Sequence, residues 1–171
     1  MILQIVFVLL SFKNEVKTEE IKKEIESYYK TSVTVVNDQL PTTAYYKPRN
    51  RYRADEILKY LTKKYKGKRV VALTSQDIST SGYGVYDWGV FGLGSITNKV
   101  SITSTYRLKS NNLKNRVIKV LLHEIGHSYG LLHCKSKYPC FMKAGDHSIK
   151  AVDKEPMFMC SECKKVFYHQ K

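Results

Sequence analysis

At 171 residues the chain has the size of one ordinary domain, and a hydrophobic share of 43% with a charged share of 26% excludes a disordered or fibrous polymer. A formal net charge of +14 fits a Lys-rich solvated surface. A sharper reading is attraction to acidic partners, either acidic polypeptides or nucleic acid, and charge alone does not choose between them.

The opening run MILQIVFVLL is about half the ~20 apolar residues needed to cross a bilayer. It has no basic residue before it and no small-residue cleavage site after it. Residues 2–10 therefore read as a buried strand, and a cytoplasmic monomer without membrane contact is expected. Residues 15–29 place Val16, Ile21, Ile25 and Tyr28 or Tyr29 at helical spacing among charges, and residues 31–36 alternate as a strand. A βαβ unit results. Residues 40–53 read as a basic and aromatic loop. A helix over 54–65 follows, with Ile57, Leu58, Leu61 and Tyr65 on its core face, and then a strand over 69–74. Residues 75–84 look turn-rich, and 85–96 and 100–108 look like strands. Gly89, Gly92 and Gly94 make the first of these an irregular edge strand. Its Trp88, Gly89, Val90 and Phe91 could hold an extended substrate by main-chain pairing. Asn111 or Asn112 caps a helix running to Tyr129. Beyond Cys134 the chain reads as loop, with a brief helix after Cys160.

The long helix carries HEIGHSYGLLHC. Leu121 and Ile125 lie opposite His123 and His127, which stand one turn apart on the same face with Glu124 beside them. Gly130 suits a left-handed turn that brings His133 back as a third ligand. Three neutral imidazoles leave a fourth tetrahedral position open, as in a catalytic zinc site, with Glu124 as general base. H-E-x-x-H-x-x-G-x-x-H is the metzincin signature, which also requires a methionine in a tight turn beneath the metal. Met142 is the candidate, two residues after a cysteine, with Met157 and Met159 as alternatives.

Cys134, Cys140, Cys160 and Cys163 form two pairs separated by 19 residues. They fit a closed four-thiolate zinc site that holds structure, and in the expected compartment metal is favoured over disulfides.

HEIGHSYGLLHC, the CFM that follows and the CSEC together resemble the archaemetzincins, in which the histidine triad is followed at once by a four-cysteine zinc site. The 17 residues between Met142 and Cys160 match that pattern, and the first cysteine pair departs from it by one residue. YKPRNRYRADEIL, ALTSQDI, FGLG and TSTYRL resemble further family segments. The resemblance implies an α/β fold of compact metzincin type: a twisted, mostly parallel five-stranded sheet with an antiparallel edge strand and three main helices. One catalytic domain, 1–171, would divide into an upper part, 1–130, above the cleft and a zinc-tied lower part, 131–171, holding the Met-turn and the cysteine site. The function expected is zinc-dependent hydrolysis of peptide or protein substrates with two zinc ions per chain. Some metzincins place an oxyanion-steadying tyrosine after the Met-turn; Lys143, Ala144 and Gly145 stand there, leaving Tyr129, Tyr138 and His147 as equal alternatives. A second reading is a zinc-containing nucleic-acid- or ribosome-associated binding protein, drawing on the +14 charge and the loop from Tyr45 to Arg53. No such module needs Glu124.

Overall fold

Apolar residues of β1 (Gln4–Leu10) alternate between two cores. Ile5, Phe7 and Leu9 enter one, Val6, Val8 and Leu10 the other, as the two-residue period of a strand requires. All six are buried, which accounts for the unbroken apolar run of a central parallel strand. The computed structural model describes residues 4–82 and 84–170, so the predicted start of this strand at residues 2 and 3 lies outside the described residues.

The chain continues through α1 (Thr18–Tyr29), β2 (Ser32–Asp38), β3 (Tyr45–Tyr46), β4 (Arg51–Arg53), α2 (Ala54–Lys64), β5 (Arg69–Thr74) and β6 (Ile78–Gly82). Then come β7 (Val85–Val90), β8 (Gly92–Gly94), β9 (Val100–Ser104), α3 (Leu113–Ser128), α4 (Ile149–Lys154) and α5 (Ser161–Gln170). The main sheet has the order β2-β1-β5-β9-β8, parallel except for the edge strand β8. Helices α1 and α3 cover one face through Ile21, Ile25, Val117, Leu121 and Ile125. Helix α2 covers the other through Ile57, Leu58 and Leu61. The expected α/β architecture holds.

Several local expectations are corrected. Residues 85–96 are not one strand: the chain turns at Phe91, so β7 joins a second sheet of order β3-β4-β6-β7 while β8 joins the main one. The stretch read as turns contains β6, whose polar Ser79, Thr80 and Ser81 hid a strand. The stretch 100–108 stays extended only to Ser104 and closes with a 3-10 turn at Tyr106–Leu108. The basic loop supplies β3 and β4, and its Arg51 and Arg53 are buried, paired with Asp87, Asp77 and Asp55. Helix α4 had no visible periodicity in so short a span. From Leu131 onward, Phe141, Met142, Val152, Met159 and Phe167 share the core of α1 and α3. Among the described residues no helix is long and apolar enough to cross a membrane.

Candidate metal centre and cleft

Burial of Val117, Leu121 and Ile125 turns the opposite side of α3 toward a cleft. His123 Nδ1 lies 2.6 Å from the Phe141 carbonyl, and His127 Nδ1 lies 2.7 Å from that of Leu131. A carbonyl only accepts, so each Nδ1 carries a proton and Nε2 is the nitrogen left to face a metal. Those two Nε2 atoms face each other at 3.0 Å. Gly130 takes φ +85°, and the reversal it permits places the Leu131 carbonyl under His127 and returns His133 to the pair. Ligand nitrogens of all three rings lie within 4.8 Å of one another. The donor set fits a zinc ion.

Glu124 is held against β8. A Cβ on Gly92 would come within 2.6 Å of the Glu124 Cγ, so only glycine lets the strand lie so close. Burial pushes the Glu124 carboxyl up to about 7, against the charge of His123, with Glu155 adding to the rise and the Gly94 N–H opposing it. Burial and His123 bring His127 down to about 4. For His123 burial disfavours the charge, but Glu155, Glu124 and the Phe141 carbonyl outweigh it and raise the ring to about 9. Two carboxylates thus favour positive charge among the rings, the field a divalent cation needs.

The cysteines also converge. Their four sulfurs lie within 4.8 Å of one another, with Cys134 and Cys160 at 3.7 Å. A disulfide needs about 2.05 Å. Tetrahedral Zn–S bonds of about 2.3 Å place sulfurs roughly 3.8 Å apart. The set fits zinc. Met142 occupies a turn in which the Lys143 N–H donates to the Cys140 carbonyl at 3.2 Å, and it is fully buried. Met157 is exposed and Met159 is buried in the core, where its N–H donates to Tyr28 Oη at 2.6 Å.

The cleft, about 470 Å³, is lined by the three histidines and Glu124, by Trp88, Val90 and Leu93 on one side, and by Val120, Ala151, Val152 and Glu155. The sequence model described as peptidase family M54 matches residues 16–168. The chain belongs to that family.

The archaemetzincin of Halobacterium salinarum is 29% identical over 157 residues, covering 84% of this chain and 87% of the relative. The archaemetzincin crystal structure from Methanopyrus kandleri superposes with a TM-score of 0.80 at 27% identity, covering 99% of this chain and 95% of that one. That from Archaeoglobus fulgidus, complexed with malonate, gives 0.80 at 26% identity, covering 96% and 99%. The chain is accordingly a zinc metallopeptidase of the archaemetzincin type, a hydrolase of peptide or protein substrates.

Of the substrate-edge candidates in this M54 chain, Trp88, Val90 and Phe91 line the cleft, whereas Gly89 faces the guanidinium of Arg107. Among the oxyanion alternatives, Tyr129 is buried and stacked on Tyr29, Tyr138 is exposed beside Pro139 and Phe158, and His147 lines the cleft with its ring 6.3 Å from Trp88. Sequence reasoning missed Glu155, which stands 3.6 Å from His123 Nδ1. It missed the clamp on α4 as well: Lys119 Nζ donates to the Val152 and Asp153 carbonyls, at 3.0 and 2.7 Å, and Arg116 pairs with Asp153. No motif marks these residues; their meaning depends on α4 lying beside α3.

Proposed function

We propose that His123, His127 and His133 hold the catalytic zinc, that Cys134, Cys140, Cys160 and Cys163 hold a second, structural zinc, and that Glu124 is the general base of peptide-bond hydrolysis. The convergence of the three rings, with two Nδ1 protons committed to carbonyls, carries this reading. Zinc bound there supplies Lewis acidity toward a scissile carbonyl and an acidified water. Glu124 takes the proton of the attacking water and returns it to the leaving amine. Its place against Gly92 and Gly94 keeps the carboxyl over the reacting atoms and shielded from bulk water. Phe141 and Leu131 orient the rings through their carbonyls. An extended substrate pairs with the sheet edge at β8, with Trp88, Val90 and Phe91 forming the adjoining wall. Residues 1–130 then form the upper wall and 131–171 the floor.

The test is cleavage of a peptide library by zinc-loaded wild type beside Glu124→Ala, read by mass spectrometry with zinc content measured on both. Cleavage by the wild type alone, at equal zinc, is the expected result. Equal cleavage by both proteins, or none by the wild type, overturns it.

A further inference from the structure

A carboxylate that the histidine motif does not explain faces the same cleft. Glu155 follows α4, with its own N–H donating to the Ala151 carbonyl at 2.9 Å. Its side chain is 17% exposed, and its Oε1 stands 3.6 Å from His123 Nδ1. That distance is too long for a hydrogen bond, and the ring proton already goes to Phe141. His123 is the only ion-pair partner of Glu155 among the described residues. Beyond that ring, Glu155 also lines the cleft, where a substrate group can reach it.

The surroundings decide what it would take. Val120, Ala151 and Val152 line the cleft with Glu155 and are apolar, and the one lysine or arginine among the described lining residues is Lys143. An acid at the end of an apolar wall matches a side chain with an aliphatic stem and a cationic tip. A substrate cation placed against this largely buried carboxylate would gain a charge-assisted hydrogen bond. Glu155 is also held in place, because Lys119 and Arg116 fasten α4 to α3. One imidazole ring separates it from the Nε2 atoms of the metal centre, so the substrate residue it meets flanks the bond being cut.

We propose that Glu155 selects substrates with lysine or arginine beside the scissile bond, its carboxylate pairing with the cationic tip while Val120, Ala151 and Val152 cover the stem. This rests on the peptidase reading above. The local preference is opposite in sign to the attraction that the +14 surface exerts at long range.

The experiment compares zinc-loaded wild type, Glu155→Gln and Glu155→Lys on peptides carrying Lys, Arg, norleucine or Glu on either side of the cut. The wild type should favour Lys and Arg over norleucine by at least about tenfold in kcat/KM, as a hydrogen bond to a charged group allows. Glu155→Gln should lose that preference, and Glu155→Lys should turn it toward Glu. A uniform loss across all peptides would mean that Glu155 only steadies His123, and would overturn the proposal. Fluorescence polarisation on zinc-loaded Glu124→Gln, with and without Glu155→Gln, measures binding of a Lys peptide and its norleucine counterpart without turnover. Selective Lys binding that vanishes in the double variant supports the proposal even if the wild type cleaves nothing, in which case the peptidase reading alone fails. Equal binding of the two peptides overturns it.

Discussion

The sulfur of Met142 occupies the space that a Cβ on Gly126 would need, in the helical turn between His123 and His127. The turn that holds Met142 and the histidine-bearing helix are therefore fitted to one another. Gly126→Ala gains about 1 kcal/mol in helix propensity, yet it overpacks the contact, at a cost of about 1–3 kcal/mol. A net destabilisation of about 1 kcal/mol is expected. Met142→Ala empties a fully buried site and should cost about 2–5 kcal/mol, whereas Met142→Leu should cost less than about 1.5 kcal/mol. Urea unfolding of the zinc-loaded variants measures all three.

Gly94 makes a similar but less forgiving contact. A Cβ there would lie 2.5 Å from the Glu124 carbonyl oxygen and 2.6 Å from the His127 Cβ. Neither atom is the end of a flexible side chain, so β8 must move away from α3. Gly94→Ala should lower kcat/KM by about 100-fold, the scale of a 1 Å misplacement. Its loss of stability should be about 1–3 kcal/mol. Steady-state kinetics beside a thermal melt separates the two effects.

Asp87 anchors the buried arginine of the small sheet. Arg51 Nε donates to its two carboxylate oxygens at 3.0 and 3.1 Å, and the Arg51 side chain is 4% exposed. Burial would raise the Asp87 carboxyl, but the Arg51 hydrogen bond and the charges of Arg51 and Arg49 outweigh it and hold it below the ordinary 3.8. The folded state thus binds the proton more weakly than the unfolded chain does. The stabilisation is present above 3.8 and is lost as pH falls through the lower folded value. Asp87→Ala should cost about 3–5 kcal/mol near neutrality. Asp87→Asn should flatten the acid limb of stability, as chemical denaturation over a pH series would record.

Metal removal should separate the two proposed zinc sites. The wild type is expected to carry two zinc ions, while His133→Ala retains the cysteine-bound one and loses turnover. Cys160→Ser should destabilise the chain far more, because Cys140, Cys160 and Cys163 are buried in the core shared with α1 and α3. Elemental analysis counts the metal, and hydrogen exchange over residues 134–163 after chelation locates the loosened backbone.

The features that sequence revealed are those whose geometry is local. His123, Glu124 and His127 share a helical face by spacing alone, and β1 and β5 announced themselves as apolar runs. What stayed hidden depends on partners far along the chain. Arg51 and Arg53 read as a basic surface because Asp87, 36 residues beyond Arg51, neutralises them only in the fold. The break at Phe91 is set where its carbonyl accepts from the Ser104 N–H at 2.8 Å, a bond that no local pattern announces. Glu155 sits in KAVDKEP, a charged run indistinguishable from solvated surface until α4 is seen against α3.

The near-absence of side chains along β8 has one more consequence. Gly92 and Gly94 put bare backbone against Glu124 and His127, so neither position on this jaw of the cleft can take a side chain without displacing those residues. The opposing jaw, α4 and Glu155, is attached through Lys119 and Arg116, which grip carbonyls and one aspartate from outside the cleft. Its inner residues can be exchanged while the grip stays intact. Retargeting this protein to new sequences is therefore a problem in redesigning Ala151, Val152 and Glu155, with the glycine strand left as the fixed anvil.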